Sequence, residues 1–253
     1  MTVAFRSIFE VSREEWLAGL KLDEADIPDA VILEGSWWRK ERQMSRLGCL
    51  SDVRELGFPD IYWGRWNDKK IVFCMAYGAP RAVEVSQIFS KIGCKLVIQI
   101  GTCGGLQKHL KPGDIIIPDI IWCQDGVAEH YVTGKAVKAS PHWARKSHQF
   151  LKSADRNCYS GQHVTFSALF AETADMCQSW HDAGLLSVDM EAATTLAAAA
   201  KYGVPGVAIL VVWDEIIAGR RFLDPMADSD LLELRTSNEA VFSAALNLVE
   251  NLP

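Results

Sequence analysis

Asp189 and Glu191 stand two residues apart in SVDMEAA, just before an alanine-rich run, and Asp214 follows the apolar run GVAILVV in VVWDE. An ionised carboxylate can accept from two sugar hydroxyls at once, and a protonated one can act as a general acid. The plainer alternative is that Asp189 and Glu191 complement a helix dipole while Asp214 ends a strand. Spacing alone does not choose. Three further segments are built around glycine: EGSWWR (34–39), AYGAPR (76–81) and GTCGG (101–105). Glycine lets backbone N–H groups close on an anion, Thr102 adds a hydroxyl donor, and Arg39 and Arg81 add positive charge, so the set suggests a small oxyanion site such as phosphate. A single glycine after a strand merely turns the chain, but three such segments weigh more. GTCGG has neither the GKS or GKT ending of a nucleotide-triphosphate loop nor the GxGxxG pattern, which disfavours NAD as well. Cys103 reads as packing, since no histidine lies within a few residues to activate it.

These residues must be carried by strands and helices. Short runs rich in Val and Ile at 31–33, 71–75, 96–100, 114–121, 162–166 and 206–212 read as strands, with the three glycine segments as loops at strand ends. Ser12 with Glu15 forms a capping box that predicts a helix over 13–20. Ala82, Val85, Ile88, Phe89 and Ile92 recur at helical spacing up to Gly93, a natural stop. Residues 191–202 form a helix that is apolar on most sides and therefore buried beside the sheet, and Val241, Ala244, Ala245 and Leu248 mark a last helix. Strands alternating with helices predict an α/β fold, a central mixed β-sheet flanked by helices. The reading is one domain over residues 1–253, with 1–30 as an N-terminal extension.

The chain has 253 residues, 49% hydrophobic and 23% charged, and a formal net charge of -6. A net acidic chain without a basic run lacks the footprint of nucleic-acid binding, and no segment offers the roughly 20 apolar residues of a membrane span. The first thirty residues carry charges every few positions, so no signal-peptide core can be drawn there. Seven cysteines without a CxxC pair or a histidine at ligand spacing predict no metal site and reduced thiols in the cytoplasm. His130 reads as structural.

GTCGGLQKHLKPGDIIIPD (101–119), SVDMEAATTLAAAA (187–200) and GVAILVVWDE (206–215), in that order, resemble the nucleoside phosphorylase family of purine nucleoside phosphorylases, uridine phosphorylases and methylthioadenosine nucleosidases. The similarity runs from about Val31 to the C-terminus. It implies a nucleoside phosphorylase-like fold and cleavage of an N-glycosidic bond, with phosphate as co-substrate and no cofactor. By resemblance, Gly35 and Arg39 match the family's first-strand phosphate loop, Thr102 its phosphate-contacting hydroxyl, and Arg54 an arginine lent by a neighbouring subunit. The last match implies a homo-oligomer with shared sites. Glu191 matches the glutamate that holds the ribose hydroxyls, with Met190 under the sugar. Asp214 matches the aspartate that protonates N7 of a purine, and Phe170 an aromatic that stacks on the base.

Asp214 must then be held protonated near neutrality, which burial against Val211, Val212 and Trp213 can do. Three departures bear on substrate and reaction. Gln99 stands where the phosphorylases carry an arginine three residues before the loop hydroxyl, so a donor without charge faces phosphate. The nucleosidases also lack that arginine and use water, yet they place a carboxylate near the position of Arg39. Trp213 replaces a small residue and would narrow the base pocket, while the Gln-x-Arg pair of uridine phosphorylases is missing between Phe166 and Glu172, which favours purines. Arg220 or Arg221, in a segment matching a family element over the pocket, is expected to reach Asp214 or phosphate. The expected activity is phosphorolysis of a purine ribonucleoside. The alternatives are a hydrolytic nucleosidase, motivated by Gln99, and a nucleoside-binding protein without turnover, motivated by Gln99 and Trp213.

Overall fold

The computed structural model describes residues 7–253, so the first six residues of the expected extension lie outside the described residues. Along the chain, α1 (Arg13–Leu20) precedes β1 (Ala30–Gly35), α2 (Arg39–Leu47), β2 (Ser51–Glu55), β3 (Tyr62–Trp66) and β4 (Lys69–Met75). Then come α3 (Ala79–Ile92), the long β5 (Leu96–Gly105), β6 (Ile115–Cys123), β7 (Ala136–Lys138), α4 (Pro141–Ser153) and β8 (Cys158–Thr165). The last third holds α5 (Ala174–Asp182), β9 (Ser187–Asp189), α6 (Ala192–Lys201), β10 (Gly206–Glu215) and α7 (Asp228–Glu250).

Side chains alternate between the faces of one mixed ten-stranded sheet. Ala30, Ile32, Ile71, Phe73, Ile98, Ile209 and their neighbours face α4 and α7. Val31, Leu33, Val72, Cys74 and Val97 face α1 and α3, while Ala208, Leu210 and Val212 face α6. Buried on both sides, these strands read as nearly continuous apolar runs, which is why the sequence shows them so clearly. Strand β1 lies between β4 and β5, both parallel to it. On the other side of β5, pairing passes through β10, β6, β8 and β9 and returns to β5, a closed circuit of strands.

Helix α1 carries the expected capping box, with Ser12 and Glu15 bonded reciprocally, and it belongs to the core: Leu17, Leu20 and Leu22 are buried in the cluster that includes α3. Helix α3 stops at Gly93, which adopts φ 108°. Helix α6 is buried from Ala192 to Ala199.

Two expectations change. GTCGG is the second half of β5 rather than a loop, because β10 pairs with it through Glu215 and β9 takes up Gly104 and Gly105. Gly101 sits where β1 leaves off, and a side chain there would collide with the backbone of Gly35. Asp214 lies within β10 rather than after it. The register against β5 shifts between Val212 and Asp214, a bulge at Trp213 that re-aims the next side chain.

Candidate active site

The C-terminal ends of β1, β5 and β10, joined by β9 and the start of α6, surround a pocket of about 350 Å³, within the size range of small-molecule sites. Glu191 is the N-cap residue of α6, yet its side chain does not cap that helix. The capping falls to Asp189, whose Oδ2 accepts from the backbone N–H of Ala192 at 2.8 Å, and to Thr165, whose Oγ1 accepts from that of Ala193 at 2.9 Å. The Glu191 carboxylate is free to cross the pocket, where Oε1 accepts from the backbone N–H of Gly78 at 2.5 Å. Its other oxygen lies over Gly35, where any Cβ would collide with it. Only glycine at 35 leaves that space. Glu191 is 3% exposed, and burial, then the charge of Asp189, push its carboxyl well above the usual range. A buried acceptor poised in this way is suited to hydroxyl donors.

The bulge brings Asp214 into the same pocket at 9% exposure. Burial, then the neighbouring charge of Glu172, push its carboxyl up to about 7, against the lowering pull of Arg221 and Arg220. It can therefore hold a proton near neutrality, as the sequence reading requires. Glu172 was not singled out from sequence. Its side chain is 5% exposed, lines the pocket and meets Arg221 Nη1 at 3.3 Å; burial raises its carboxyl despite that partner. Arg221 lines the pocket, whereas Arg220 is tied to Glu215 at 3.0 Å and to the Trp213 carbonyl at 2.9 Å.

Gly35, Thr102, Met190, Phe170 and Trp213 line the pocket alongside Glu191 and Asp214. Two anion ligands expected from this chain, Gln99 and Arg39, do not line it. Gln99 is buried in the core, its Oε1 accepting from Thr195 at 2.7 Å and its Nε2 donating to the Ile100 carbonyl at 3.0 Å. Arg39 opens α2, exposed, with its guanidinium 4.9 Å over the ring of Tyr77. Arg54, expected to serve a neighbouring copy's site, lies on β2 and pairs with Asp26 at 2.8 Å. Arg81, which was to bring charge to the AYGAPR loop, turns instead to Glu84 and the Pro59 carbonyl.

In place of those cations, this wall is aromatic. Trp37 meets Tyr77 and Phe222, and Trp38 stacks on Trp213 with centroids 4.1 Å apart. Trp213 thus leans on Trp38 rather than standing alone against a base. Two adjacent tryptophans after a strand were the available signal, overshadowed by the glycine and arginine that flank them. Among the described residues no group of acidic, histidine and cysteine side chains could hold a metal ion, and all seven cysteines are free.

Fold and pocket together define an α/β protein with a sheet-end site that holds two buried carboxyl groups, Glu191 and Asp214. Residues 53–246 match the phosphorylase superfamily, and the chain belongs to it. DeoD-type purine nucleoside phosphorylases of Bacillus thuringiensis (strain Al Hakam) and Bacillus cereus (strain AH187) are each 29% identical over 212 residues, covering 79% of this chain and 87% of theirs. A uridine phosphorylase from Vibrio fischeri ES114 has a TM-score of 0.79 at 19% identity, covering 91% of this chain and 95% of that one, a likeness of fold. The family and the enzyme class, a pentosyltransferase of the nucleoside phosphorylase kind, are as the sequence motifs predict.

Proposed function

We propose that the protein cleaves the N-glycosidic bond of a purine ribonucleoside with phosphate, giving free base and ribose 1-phosphate. The observation that carries this reading is one pocket holding both Glu191, buried and aimed across at Gly78, and Asp214, whose carboxyl is pushed up to about 7. Glu191 would take the ribose hydroxyls and Met190 the underside of the sugar. A phosphate oxygen forms its bond to C1′ as the bond from C1′ to the base breaks. The electron pair leaves on the base, and Asp214 delivers its proton there, so the leaving group departs neutral. Gly35 and Thr102 would meet the anion, Phe170 and Trp213 the base. The 29% identity to purine nucleoside phosphorylases supports a purine.

The phosphate end lacks a cation from this chain, since Arg39 does not line the pocket and Gln99 carries no charge. In the leading reading Arg54 of a neighbouring copy supplies it, making the protein a homo-oligomer. The same observation favours a second reading, a hydrolytic nucleosidase in which water attacks C1′. Cytoplasmic residence fits seven free cysteines, and no described helix is long and apolar enough to cross a membrane. The test is incubation with inosine, adenosine, guanosine and uridine, with and without phosphate, assaying free base and ribose 1-phosphate. Release of purine that requires phosphate supports the leading reading. Release without phosphate transfers the protein to the second, and tight binding without cleavage removes both.

A further inference from the structure

Strands β8 and β9 run parallel with His163 beside Ser187 and Thr165 beside Asp189. All four side chains therefore leave the strands on one side, and all four are buried. Such density of polar groups is tolerated only when each is bonded. Here each is. His163 Nδ1 lies 2.7 Å from Ser187 Oγ and its Nε2 2.9 Å from Asp189 Oδ1, which also accepts from Thr165 Oγ1 at 2.6 Å.

The partners fix the direction of the chain. With the Asp189 carboxylate as acceptor, a neutral His163 donates to it from Nε2. Nδ1 then accepts from the Ser187 hydroxyl at 2.7 Å. The order resembles that of a hydrolytic serine site, but Ser187 is fully buried and does not line the pocket, so it is no nucleophile. The end of the chain is what reaches the pocket. Asp189 Oδ2 holds the Ala192 N–H, and that bond sets the first turn of α6, from which Glu191 projects.

We propose that His163 is a positioning residue of the pentose end: through Asp189 it fixes the start of α6, and so aims Glu191 at Gly78 and away from the helix it would otherwise cap. This rests on the reading of Glu191 as the hydroxyl-binding group. Neither Ser187 nor His163 lines the pocket, so the effect passes through Asp189 alone.

The test compares H163N and H163Q in the full-length protein. An asparagine amide reaches the place of Nδ1 and leaves Asp189 Oδ1 with Thr165 as its one remaining side-chain donor, whereas a glutamine amide reaches the place of Nε2 and restores the second. Two readouts are needed: kcat and KM for a purine ribonucleoside and its 2′-deoxy counterpart, and hydrogen exchange at the Ala192 and Ala193 amides. H163N should raise the ribonucleoside KM about ten-fold, affect the 2′-deoxy substrate less and speed exchange at both amides, while H163Q stays within about two-fold of the wild type. S187A, which releases the imidazole from its fixed tautomer, should move both readouts the same way by less, and serves if H163N does not fold. Lower melting temperatures with unchanged KM in H163N or S187A would make His163 merely structural and overturn the proposal. A wild type that neither binds nor cleaves nucleosides, with exchange still faster in the variants, would overturn it differently, by removing the pentose reading of Glu191.

Discussion

At the inner end of the pocket Glu191 is gripped from every side, by the Gly78 N–H, the bare Gly35 backbone and a helix start that Asp189 caps in its place. At the outer end Asp214 stands with Glu172 and Arg221 under a rim of aromatic rings, among them Phe170 at 85% exposure. Both ends contain a buried carboxylate with a raised proton affinity, but from different second causes: the charge of Asp189 at one, that of Glu172 at the other. The contrast teaches where preorganisation is placed. In the proposed function the pentose, common to all nucleosides, would meet a fixed acceptor, while the base, which varies, would meet a few polar groups among adaptable aromatic surfaces.

The largest effect should come from the gripped end. Glu191→Gln keeps the shape but replaces one acceptor oxygen by an N–H, and should lower kcat/KM about a thousand-fold in an assay of base release. A loss below ten-fold would break the comparison. Asp214→Asn should cost about a hundred-fold at pH 6.5. The wild-type rate should fall as pH rises through about 7, where the acid loses its proton, and the variant should lose that limb.

The same group makes a stability prediction of definite sign. The folded carboxyl is raised from the ordinary 3.8 to about 7, so between these values the folded state binds more protons than the unfolded. Stability falls as pH rises through that window. Asp214→Asn should therefore be more stable than the wild type at pH 8 by on the order of a few kcal/mol, and so melt higher there, with little difference at pH 4. A thermal melt at the two values checks it.

How much of this was legible follows from burial. Strands β1, β4, β5 and β10 announce themselves as apolar runs because both their faces are covered, whereas β2, exposed along most of SDVRE, carries no such pattern. The extent of β5 was hidden for the opposite reason: Gly101, Gly104 and Gly105 read as turn residues, yet they are glycine because other chain segments crowd them, Gly35, Ile216 and Val212 respectively. Glu191 and Asp214 could be placed by motif order. Glu172 could not, since its reach to Arg221 spans 49 residues and only the folded chain brings them together. Nor could the inward turn of Gln99, which depends on Thr195 of α6.

Glu172→Gln probes the outer end more gently. Removing its charge withdraws the repulsion that helps keep Asp214 protonated and releases Arg221, and both changes lower the carboxyl of Asp214. The alkaline limb of kcat/KM should move to lower pH, leaving about a ten-fold deficit at pH 8 and little at pH 6. A deficit equal at both values would mean that Glu172 contacts the base directly instead of tuning the acid.

The smallest effect is expected at Phe170. With its ring mostly in solvent it can cover only one face of a base, so Phe170→Ala should raise KM by a few-fold and leave kcat nearly unchanged, because a contact made equally in ground and transition states affects binding alone. Steady-state kinetics with the best purine substrate would measure it. A rise above about thirty-fold, or a matching loss in kcat, would show that the rim closes over the ligand during turnover. The outer end would then be as preorganised in the complex as the inner end is without one, and the difference between them would belong to the free enzyme only.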